Sequence, residues 1–111
     1  MTPRYIAVDG MLSGTGIRDT VAGGYIDPKH LGLSDGLSAQ IDRWLKRYED
    51  AHYAGFGDSA AAEKLDLEGI HISQKLQSEL PQSKVAYYSH AKSSMLPIPP
   101  APDSTQQDAH V

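Results

Sequence analysis

Cysteine is absent from this chain of 111 residues, which excludes disulfide cross-links, thiolate catalysis and cysteine-ligated zinc together. The absence also fits a reducing compartment, so a cytoplasmic location is expected. No apolar run approaches the roughly 20 residues that a membrane-spanning helix needs. The start, MTPRYIAVDGML, shows neither the positive region nor the apolar stretch of a signal peptide. A basic excess is missing too: the formal net charge is −4, which argues against a general nucleic-acid binder with its basic surface. At this length the chain has room for one domain with a two-layer core and none for a separate cofactor domain.

What is present is organised around Ser34 to Tyr53. Leu37, Ile41, Trp44, Leu45 and Tyr48 recur at the spacing of one helix face, with the single tryptophan of the chain in mid-stripe. Ser34 or Asp35 is placed to cap this helix, and the glycines around Phe56 end it. A second helix is expected from Asp58 or Ser59 to about Leu80, where Pro81 closes it. Its stripe is Ala62, Leu65, Gly69, Ile72, Leu76 and Leu80. Gly69 costs a helix about 1 kcal/mol relative to alanine, so close approach of another helix is the expected reason for it.

The flanks read as strands. Arg4 to Asp9 and Lys84 to Ser89 carry β-formers, and Tyr87 and Tyr88 alternate, one toward the helices and one outward. Between Gly10 and Gly24 the chain is too glycine-laden for a helix or a long strand, and Ile17-Arg18-Asp19 and Thr20-Val21 read as either a brief strand pairing or a short helical turn. Asp27 and Pro28 then start a short helical turn that runs through Leu31 and ends at Gly32. Two helices with a short connection pack antiparallel. The expected fold is therefore α+β: an antiparallel helical hairpin on a small two- or three-stranded sheet, filling residues 1–90. Residues 91–111, proline-rich and then polar, are expected to form an extended or disordered tail.

Candidate chemistry is sparse. Gly10, Gly14 and Gly16 after a strand resemble the cofactor loop of short-chain dehydrogenases. Gly23-Gly24 follows too soon for the long helix that a pyrophosphate would sit on, and no second βα unit exists. Histidines at 30, 52, 71, 90 and 110 lack the spacing of a metal site. His52, one turn beyond Tyr48, reads as a partly buried structural histidine. Ser13, His52 and Asp19 could be written as a triad, but no nucleophile elbow supports one. No catalytic, cofactor or metal residue is therefore expected.

The acids are more informative. Glu49, Asp50, Asp58, Glu63, Asp66 and Glu68 fall around the connection between the two helices, with Lys64 the lone lysine or arginine among them. Acids at a helix start complement its dipole, which accounts for some of them on structural grounds alone. The functional alternative is an acidic face for a basic partner, where charge steers association. Tyr53 and Phe56 would add aromatic anchors or act as lids on the core. The candidate partner-binding set is Glu49, Asp50, Tyr53, Phe56, Asp58, Glu63 and Asp66.

One wider pattern runs through Gly16-Ile17-Arg18-Asp19, Gly24-Tyr25-Ile26, Pro28, Leu31-Gly32-Leu33-Ser34, Leu37, Trp44 and Tyr48, then Leu65, Gly69, Val85 and Tyr87. It resembles small bacterial proteins found among polymorphic-toxin and contact-dependent-inhibition immunity genes, over Val8 to Ser89. These motifs are structural, so no toxin-binding residue carries over by position. The resemblance implies a cytoplasmic, non-catalytic protein that neutralises a cognate toxin domain by masking its active site or substrate groove. Nucleic acid and membrane are not expected partners, and the chain is expected to be a monomer or weak homodimer. The rival reading is a small structural or regulatory module that binds through the Gly10–Tyr25 loop or dimerises through Trp44.

Overall fold

Two helices cover one face of a four-stranded mixed sheet. The computed structural model describes residues 3–99. Along the chain come β1 (Tyr5–Asp9), β2 (Ile17–Asp19), a 3-10 turn (Pro28–Leu31), α1 (Asp35–Tyr53), α2 (Ser59–Glu79), β3 (Lys84–Ser89) and β4 (Ser94–Leu96). The strand order is β2-β1-β3-β4, with β1 and β3 parallel and both outer pairs antiparallel. Parallel neighbours need a long crossover, and the helical hairpin is that crossover.

The α+β class is as expected, but the sheet has four strands rather than two or three. Each extra strand has its own cause. Ile17 lies opposite Val8 and is fully buried, in a strand too short to show alternation in the sequence. At the other edge, Ser94–Leu96 falls inside the stretch expected to be a tail. Leu96 stands opposite Tyr87 and packs with Ile98 against the core, while Gln74 Nε2 donates to the Pro99 carbonyl at 2.7 Å. The remainder of that expected tail, 100–111, lies outside the described residues.

Period-2 alternation gives β1 an inner face of Ile6 and Val8. Ile17, Val85, Tyr87 and Leu96 share that face in register. Onto it press Leu37, Ile41, Trp44 and Tyr48 from α1 and Leu65, Ile72 and Leu76 from α2, all buried. Trp44 has no exposed surface, and its Nε1 donates to the Leu65 carbonyl at 2.9 Å, so the indole N–H keeps a partner inside the core. A dimer contact through Trp44 is thereby removed, because the side chain is committed to the fold.

Ser34 caps α1 by accepting from Leu37 N–H at 3.3 Å. Its own N–H and hydroxyl donate to Glu79 at 2.7 and 2.6 Å, which ties the start of α1 to the end of α2. Gly69 meets a strand, not the expected helix. A Cβ there would stand 2.5 Å from Tyr87 Cζ, so the glycine lets α2 settle directly on a tyrosine of β3.

Candidate functional site

At the end of α1 the helix closes with a left-handed cap. Gly55 has φ 66° and its N–H donates to the His52 carbonyl at 3.0 Å; Phe56 N–H reaches back to the Ala51 carbonyl at 2.9 Å. These are the paired reverse bonds of a Schellman motif, which satisfies the last helix carbonyls. Phe56 is also left-handed, φ 55°, a conformation rare for a residue with a Cβ. Its half-buried ring meets the rings of Tyr48 and His52 edge-on, at centroid distances of 5.7 and 4.8 Å. Asp58 then caps α2, its Oδ1 accepting from Ala61 N–H at 3.1 Å.

A cleft of about 410 Å³ lies between the end of α1 and the start of α2. Ala51, Ala54, Ala61 and Leu65 supply apolar lining, Phe56 stands beside them, and Asp50 and Asp58 border it. Tyr53, on the last turn of α1, is 77% exposed. Glu49, Asp50 and Asp58 are exposed and make no ion pair among the described residues. Glu68 is held by Arg47 through both carboxylate oxygens at 2.7 Å, and Glu63 pairs with Lys92 at 3.5 Å. Of the expected residues, Asp50, Phe56 and Asp58 line the cleft, while Glu49, Tyr53 and Glu63 lie on the flanking turns of α1 and α2, outside its lining.

Asp66 is the exception. It is 3% exposed and faces the sheet. Its Oδ1 accepts from the hydroxyls of Tyr87 at 2.6 Å and Tyr48 at 3.2 Å, and its Oδ2 from Ser89 at 2.8 Å. The Tyr48 oxygen in turn accepts from the N–H groups of His90 and Ala91 at 3.0 and 3.3 Å. Burial raises the pKa of Tyr87 and Tyr48 above the ordinary tyrosine value; for Tyr87 the bond to Asp66 adds to it. Both phenols stay protonated and donate. A buried acid supplied with three hydroxyl donors is a structural knot, so Asp66 is withdrawn from the partner-binding set. The sequence carried one signal for this: Asp66 and Ser73, one heptad apart, border the Leu65 stripe, and both are buried.

A second cluster, not anticipated, sits at the carboxyl ends of β1 and β3. Asp9 is 2% exposed. Its Oδ1 accepts from Met11 N–H at 3.0 Å and from His90 Nε2. Arg18 Nε lies 2.9 Å from its Oδ2, an ion pair not aligned as a hydrogen bond. Burial first, and then Asp9, raises the pKa of Tyr25. His52 Nε2 donates to the Gly10 carbonyl at 3.0 Å, the structural role read from its position. Asp19 Oδ1 is occupied by the amides of Val21 and Ala22, each at 2.9 Å, so two residues of the paper triad, His52 and Asp19, serve other partners. Gly10 is packed rather than poised for phosphate: a Cβ there would stand 2.7 Å from the Tyr48 ring. This cluster locks the loop after β1 onto β3 and the end of α1.

Among the described residues no group of three or more histidine or acidic side chains is placed to hold a metal ion, and no helix is long and apolar enough to cross a membrane. The architecture is a small α+β domain with an exposed, acid-flanked cleft at one end. The model of the Serratia CdiI immunity protein-like family matches residues 13–90, and the chain belongs to that family. The match spans Gly16 through Tyr87, the residues that carried the resemblance. No curated protein and no solved structure matches the chain.

Proposed function

We propose that the chain is an immunity protein that neutralises a cognate toxin domain by docking on it with the end of the helical hairpin. It masks the toxin's active site or substrate groove, and acts in the cytoplasm without catalysis or cofactor. Family membership supports the immunity role. The docking surface rests on one observation: Tyr53 is 77% exposed one helical turn from Glu49 and Asp50, and these acids and Asp58, across the connection, form no ion pair among the described residues. Exposed aromatics of this kind anchor interfaces, and unneutralised acids draw in a basic partner. The exposed Glu63–Lys92 pair is weak enough to open. Against a nuclease with a basic cleft, these carboxylates stand where phosphates would.

The test uses the cognate toxin domain, to be sought among the genes that neighbour the one encoding this chain. Association is followed by stopped-flow at low and high salt with the variant Glu49→Gln, Asp50→Asn and Asp58→Asn, in which asparagine preserves the cap of α2. Loss of steering is expected to slow association about tenfold at low salt and to flatten its salt dependence. Tyr53→Ala is expected to weaken Kd by about tenfold to a hundredfold. Unchanged kinetics and affinity in both variants would move the docking surface elsewhere. Light scattering on the unbound chain checks the expected monomer or weak homodimer.

A further inference from the structure

We infer that the cleft between α1 and α2 receives an arginine side chain of the partner protein. Its stem would lie on the alanine lining and its guanidinium would lie among Asp50, Asp58 and the ring of Phe56. This rests on reading the hairpin end as the docking surface, and it names the group that enters. The cleft combines two demands that few side chains meet together. Ala51, Ala54 and Leu65 offer apolar surface, while the border carries carboxylates. Of the charged groups that line it, Arg47 and Glu68 neutralise each other. That leaves Asp50 and Asp58 against the single ammonium of Lys64, none of them ion-paired among the described residues.

A purely apolar anchor would strip water from those two acids and return nothing. A side chain with an apolar stem and a cationic head covers the lining and pairs the border at once. Phe56 decides for arginine over lysine. Tyr48 and His52 hold its ring from the core side, the left-handed cap fixes its backbone, and Phe56 is part of the cleft lining. A planar guanidinium stacks on such a surface and donates in its own plane, whereas an ammonium does neither. The space, about 410 Å³, accommodates one long side chain with bridging water.

The experiment is an NMR titration of the full chain, reading the methyl signals of Ala51, Ala54 and Ala61 and the ring of Phe56. Three probes are compared: the N-acetyl methylamides of arginine, lysine and norleucine. The arginine probe is expected to give saturable shifts at these positions, with an affinity about threefold above the other two. Ala61→Leu, an exposed helical position, fills the cleft and is expected to abolish them. No saturable shift, equal affinity for all three probes, or shifts that persist in Ala61→Leu would overturn the inference. With the toxin domain, Ala61→Leu is expected to weaken Kd about tenfold. A toxin that binds wild type and Ala61→Leu equally well overturns the cleft inference and leaves the docking reading standing. A toxin that does not bind wild type overturns the docking reading, and the probes alone then decide the cleft.

Discussion

An alanine at position 69 would bring its Cβ 2.5 Å from Tyr87 Cζ, whereas at position 36 it would meet nothing within 4 Å. Both glycines lie in helices, so helix propensity favours alanine at each by up to about 1 kcal/mol. The signs are nevertheless expected to differ. Gly36→Ala should raise the urea midpoint, while Gly69→Ala should lower it, at a cost of about 1–2 kcal/mol in stability, since overpacking outweighs propensity. Asp66 is a second residue whose meaning lies in its neighbours. Asp66→Ala leaves the hydroxyls of Tyr87 and Ser89 without their acceptor and is expected to cost about 3 kcal/mol in equilibrium unfolding. Asp66→Asn retains an acceptor for the tyrosines, and its loss should be less than half as large. The sequence marked Gly69 as costly on an apolar stripe and placed Asp66 among the partner-binding acids. It did not show that the same tyrosine explains both.

At the scale of elements, local chemistry was sufficient for the helices. Ser34, Asp58, Gly32 and the Pro28 turn stand where caps and breakers were expected, and α1 and α2 begin directly after their caps. Side-chain caps and φ preferences act within a few residues, so a sequence can display them. The short strands behave differently. β2 and β4 are each three residues long, and their stability comes from hydrogen bonds to strands distant in the chain and from burying Ile17 and Leu96. No periodicity survives in three residues. The end of α1 links fold to site, because its cap places Phe56 and the cleft. Gly55→Ala forces a Cβ into φ 66° and is expected to lower stability by about 1 kcal/mol, seen as a lower melting temperature. Amide shifts at Phe56 should accompany it.

For the whole molecule, the buried tyrosines set an alkaline limit. Tyr48 and Tyr87 have folded pKa values raised above the ordinary 10.0 by burial, while in the unfolded chain they titrate normally. The unfolded state therefore gains by deprotonation first. Stability attributable to these groups is full below pH 10 and declines as pH rises beyond it. Urea unfolding from neutral pH to above 10 should show this decline, and Tyr87→Phe should make it shallower while lowering the plateau by the lost bond to Asp66. The acids of the hairpin end follow the same division between local and global information. Their gathering around the connection was legible, since a turn brings both flanks together whatever the rest of the fold does. Which of them stay free was not. Lys92, Arg47, Tyr48, Tyr87 and Ser89 come from elsewhere in the chain to pair Glu63, hold Glu68 and bury Asp66. By itself the sequence determined the two helices, their caps and the position of the acidic turn, because these depend on neighbours in the chain. Tertiary structure alone decided the four-stranded sheet, the burial of Asp66 and the open cleft beside Phe56, because each depends on groups that only folding brings into contact.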